Sequence, residues 1–86
     1  MIDKMMSKYG YILTKENKYG AYYEKQEPQN FNHIVCVIHK ANGKHLMQSY
    51  DSKVINGRNE VCGVEIPVLF LTWLKAKQMK RKYHWN

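Results

Sequence analysis

The run FNHIVCVIHKANGKHLMQSYD (31–51) constrains the fold more than any other part of the chain. Two β-rich stretches flank Asn42-Gly43, and Asn-Gly is the preferred two-residue hairpin loop because both of its turn positions need positive φ. A loop of that type sets Ala41 opposite Lys44 and pairs His39 with Leu46, Val37 with Gln48 and Val35 with Tyr50. Side chains alternate across a strand, so one face would carry Phe31, Val35, Val37, Leu46 and Tyr50, and the other Ile34, Cys36, Ile38 and Met47. Both faces are apolar near the middle, the pattern of an interior strand pair covered on more than one side.

The rest of the chain is read around this hairpin. Ile2, Met5, Met6 and Tyr9 recur at spacings of three and four, which predicts a short helix over 2–9 ending at Gly10. YILTK (11–15) and YGAYYEKQ (19–26) flank ENK (16–18), a first hairpin with a polar turn. Pro28 within QEPQN (26–30) ends pairing there and predicts a loop. The Gly- and Asn-rich segment 54–65 allows either a tight turn at Asn56-Gly57 or a plain connection. Pro67 suits the first turn of a helix, and from there to Tyr83 no glycine or further proline intervenes.

At 100° per residue, Leu69, Trp73, Ala76, Met79 and Tyr83 form one stripe of that helix. Val68, Phe70, Leu71 and Leu74 fill the other directions of its first two turns. The pattern predicts a helix buried nearly all round at its start and bearing one apolar stripe at its end. The expected architecture is α+β: a short N-terminal helix, an antiparallel meander of about four strands, and a long C-terminal helix across one sheet face. One layer of helix leaves the second face of the central hairpin open, which raises a homodimer as an expectation. With 86 residues the whole chain makes a single small domain.

Charge is where the sequence says most about partners. Residues 1–65 hold nine basic and seven acidic side chains, whereas residues 66–86 hold five basic and no acidic ones. The excess is therefore directional. Lys75, Lys77, Lys80, Arg81 and Lys82, with Tyr83 and Trp85 beside them, are the candidate partner-binding residues. Cations of this kind can meet an acidic protein, or can neutralise phosphates while the rings stack on bases. The plain alternative is a solvated helix end whose cations complement the helix dipole.

Other constellations carry less. Tyr19, Tyr22 and Tyr23 lie among lysines, but Tyr22 and Tyr23 point to opposite faces of any strand and no RNA-recognition motif accompanies them. His33 and Cys36 fall on opposite faces of a strand, and His33 and His39 lie about 20 Å apart along it. In the register above His45 lies on the other face of the sheet from His39, so the spacing argues against a metal site. Cys36 in mid-strand reads as a small buried hydrophobe, and with Cys62 as a reduced thiol. No nucleophile–base pair or Gly-rich phosphate loop is legible, so neither an enzyme nor a cofactor is expected. The N-terminus lacks the apolar run of a secretory signal, and Ile66–Leu74 is too short to span a bilayer. A cytoplasmic chain is the expectation.

The hairpin with GKHLMQSYD, preceded by FNHIVCVIHK and followed by VCGVEIP and a helix, resembles small uncharacterised proteins of Gram-positive bacteria and their phages. The resemblance implies a phage- or prophage-linked setting, in which small basic proteins modulate a host machine or bind nucleic acid. It transfers no functional residue. Two functional expectations follow from the residues themselves: a small binding or adaptor module whose basic helix meets an acidic partner, and a nucleic-acid binder of low specificity. The scarcity of arginine, the usual reader of base edges, favours the first.

Overall fold

A computed structural model describes residues 1–28 and 30–86; Gln29, within the loop expected over 26–30, lies outside the described residues. The chain runs α1 (Ile2–Lys8), β1 (Ile12–Asn17), β2 (Gly20–Glu27), β3 (Phe31–His39), β4 (His45–Ile55), β5 (Arg58–Val61) and α2 (Ile66–Tyr83). The strands form one antiparallel sheet in the order β1-β2-β3-β4-β5. The α+β meander between two helices is as expected, with a fifth strand supplied by the undecided segment. That strand exists because Asn56 and Gly57, at φ 53° and 80°, form the tight loop joining Ile55 to Arg58.

The other Asn-Gly pair behaves differently. Lys40 donates its N–H to the Lys44 carbonyl at 2.8 Å, and Gly43 donates to the Lys40 carbonyl at 2.9 Å. Gly43 has positive φ, but Asn42 does not. The result is a three-residue loop, a type I turn followed by a left-handed glycine. His39 therefore faces His45, Ile38 faces Leu46 and Val37 faces Met47, one residue out of the expected register. A slip of one residue turns a whole strand over. Met47 thus joins Val35 and Val37 on one face, while Leu46 and Tyr50 join Ile34, Cys36 and Ile38 on the other.

Both helices lie on the Val35–Val37 face. Met6 of α1, Tyr23 of β2, Val35 of β3, and Val68 and Leu71 of α2 form one buried cluster with Tyr11. Ala21, Val37, Met79 and Trp85 form a second. Close approach is built into the sheet at Gly20, where a Cβ would lie 2.5 Å from the Val37 carbonyl oxygen. The ENK turn is also displaced. Glu16 sits in β1 opposite Ala21, on the helix side, and the turn proper is Lys18-Tyr19, where Asn17 Oδ1 accepts the Tyr19 N–H at 2.8 Å.

Candidate functional site

The buried line of α2 is Val68, Leu71, Thr72, Lys75 and Met79, rotated from the expected stripe with only Met79 in common. A lysine in the core needs charged company, because an unpaired buried cation costs several kcal/mol. Lys75 is 2 % exposed, and its Nζ lies 2.6 Å from Glu16 Oε1 and 3.0 Å from Asp3 Oδ1. Asp3 comes from the first turn of α1, which docks on α2, and Tyr23 donates its hydroxyl to the same carboxylate. Glu16 also accepts from Lys82 Nζ at 2.8 Å and the Tyr83 hydroxyl at 2.7 Å. Burial alone would raise the Glu16 pKa. The hydrogen bonds from Lys75, Lys82 and Tyr83, together with the Lys75 charge, overcome that and hold it at about 2.

The C-terminus is fastened as well. His84 adopts a left-handed conformation that caps α2, and the Trp85 N–H reaches back to the Lys80 carbonyl at 3.0 Å. The indole then turns inward. It stacks on His39 at 5.0 Å between centroids, tilts against His45 at 5.0 Å, and donates Nε1–H to the Lys18 carbonyl at 2.7 Å. Trp85 is part of the core, not a surface ring.

The seven candidate residues thus divide. Lys75 and Trp85 are buried, Tyr83 is half-buried against Glu16, and Lys82 is exposed but paired with Glu16. Lys77, Lys80 and Arg81 are exposed, and none of the described ion pairs involves them. Of the five candidate cations, these three remain exposed and outside the described ion pairs.

Rotation of the helix has a second consequence, which the sequence reading missed. With Lys75 turned inward, Ile66, Leu69, Phe70 and Trp73 turn outward, and Ile66 and Trp73 are 79 % and 54 % exposed. Phe70 stacks on Trp73 at 5.9 Å, and Lys77 Nζ lies 4.5 Å from the centre of the Trp73 ring. Between this face and β4 runs a groove of about 690 Å³ floored by Val37, His45, Leu46 and Met47 and rimmed by Lys77 and Lys80. Among the described residues no carboxylate lines it. One signal was available: α2 opens with apolar residues in every direction, more than one sheet face can cover. The phase was not, because it depends on Asp3 and Glu16.

A further polar chain lies at the opposite end of the sheet. The Tyr11 hydroxyl is 3.0 Å from His33 Nδ1, and His33 Nε2 is 2.5 Å from Ser49 Oγ. Burial lowers the His33 pKa against the opposing pull of the Glu27 carboxylate. Both ring nitrogens are spent on internal partners, so this network ties Tyr11, just before β1, to β3 and β4. Burial likewise raises the pKa of the Cys36 thiol, and both cysteines are free. Among the described residues, no group of three or more metal-ligating side chains converges, and no helix is long and apolar enough to cross a membrane.

Compared with protein-family profiles, curated proteins and solved structures, the chain matches none.

Proposed function

We propose that this protein is a small binding module for an acidic protein partner, held in the groove between α2 and β4 and steered by Lys77, Lys80 and Arg81. The observation carrying this reading is the outward face of α2, where Leu69, Phe70 and Trp73 are left uncovered beside cations with no internal counter-charge. Contiguous apolar surface rimmed by polar groups is characteristic of interaction sites, and aromatic residues supply most of the binding energy there. A second copy of this chain is a poorer occupant, because it would bring the same cations to a rim that offers no carboxylate. The resemblance to small proteins of Gram-positive bacteria and their phages accords with a module that modulates a larger host machine.

Nucleic acid is the alternative, since exposed rings beside cations also suit single strands. It is disfavoured here because Trp85, one of the two expected stacking rings, is buried and the Trp73 ring already carries Lys77. Binding of random-sequence DNA and RNA at about 50 and 200 mM salt separates the readings. A protein-binding module is expected to show no saturable binding even at the lower salt. Binding that weakens by orders of magnitude over this range, and disappears in a K77E/K80E/R81E variant, would replace the protein reading with the nucleic-acid one.

A further inference from the structure

We infer that the occupant of the groove is an extended acidic peptide segment that adds a strand to the free edge of β4; this rests on the reading of the groove as a protein-binding site and specifies the partner's form. Backbone register carries the inference. The Lys40–Lys44 bond, and the bond from His39 N–H to the Tyr19 carbonyl, show that even-numbered residues of β4 turn their backbone groups toward β3. The odd-numbered ones turn away. Ser49 therefore offers its carbonyl outward, where Cys62 N–H takes it at 3.0 Å. There the outer row stops. The chain leaves the sheet after Cys62 to begin α2 at Ile66, and β5 pairs with β4 only from Tyr50 onward. The N–H and C=O groups of His45 and Met47 therefore point along the groove with no strand opposite them.

The other edges of the sheet are guarded. β1 is broken by a bulge between Leu13 and Lys15 and carries Lys15 and Glu16. β5 is four residues long and carries Arg58 and Glu60. Short length, charge and bulges are the means by which sheets prevent unwanted pairing. The open stretch His45–Met47 is short as well, but it carries no lysine, arginine or carboxylate and its register with β3 is unbroken. An edge left open under an apolar wall is the arrangement used for strand addition, in which backbone bonds give affinity and alternate side chains fill pockets. An extended polypeptide offers a donor and an acceptor at the matching spacing. Trp85 touches His45, which places the Lys77–Lys80 half of α2 at the start of β4. The acidic residues of the segment therefore sit beside His45, and its apolar ones face Leu69 and Trp73.

The test selects a displayed library of random peptides, each about a dozen residues long, on the protein and counter-selects it on a K77E/K80E variant. Amide exchange of the protein is then followed with and without the tightest selected peptide. The His45 and Met47 amides are expected to exchange freely alone and to slow by about tenfold or more in the complex. A peptide that binds and perturbs Leu69 and Trp73 but leaves those two amides at their free rate overturns strand addition while leaving the binding-module reading intact. Failure to select any peptide that depends on Lys77 and Lys80 overturns the binding-module reading and the strand with it. Protection of His45 and Met47 without peptide, lost on dilution, assigns the edge to a second copy and overturns the proposal.

Discussion

Lys75 and Trp73 stand two residues apart on α2 and occupy each other's expected places. The lysine is 2 % exposed and the tryptophan 54 %. Hydrophobicity alone would order them the other way. The difference separates two kinds of evidence. A buried cation reports on the rest of the chain, because it is tolerable only where carboxylates converge, and here α1 and β1 each send one. An exposed aromatic face has no such internal explanation among the described residues, and the proposed reading assigns it to a partner. The inward side of α2 is closed chemistry and the outward side is open.

The sharpest way to break the comparison is to remove each residue and weigh the cost. Lys75→Ala leaves two carboxylates without their shared cation and is expected to cost about 3–5 kcal/mol, read as a large fall in the urea midpoint. Trp85→Ala, which empties the second core cluster and frees the C-terminus, is expected to cost about 3 kcal/mol. Trp73→Ala removes a side chain of the same size from the outer face and is expected to stay within about 0.5 kcal/mol. Equal losses for Lys75→Ala and Trp73→Ala would erase the distinction.

Acid titration sharpens the inward half. The Glu16 pKa is about 2, below its ordinary 4.5, so the folded state binds the proton less readily than the unfolded chain. Its contribution is fully present above pH 4.5 and is lost as the pH falls toward 2. Denaturation midpoints should decline through that window in the wild type. The decline should flatten in Glu16→Gln, whose stability is already lower at neutral pH.

Much of the fold was legible because local rules and tertiary packing agree there. The periodicity of Ile2, Met5 and Met6 marks α1, Pro67 marks the start of α2, and β-branched runs mark β3 and β4. Errors arose where one local signal admits two outcomes. Asn-Gly closes a two-residue loop at 56–57 but sits within a three-residue loop at 42–43, and β4 contains adjacent Leu46 and Met47, either of which could face inward. Packing of Met47 against the cluster that holds Val35, Val68 and Leu71 decides between them. For the candidate site, Lys77, Lys80 and Arg81 were visible as charge. Leu69, Phe70 and Trp73 were read as core, because the phase of an all-apolar helix start is set by where Lys75 finds its carboxylates, and those come from residues 3 and 16.

The account turns on whether the outer face of α2 is open in the free protein and covered by a partner. In a Trp85→Phe protein, which keeps a ring against His39, Trp73 is the only indole. Its fluorescence should be red-shifted and freely quenched by acrylamide, and an acidic peptide selected on the groove should reverse both. A blue-shifted, shielded Trp73 in the free protein, or an emission that such a peptide leaves unchanged, would contradict it.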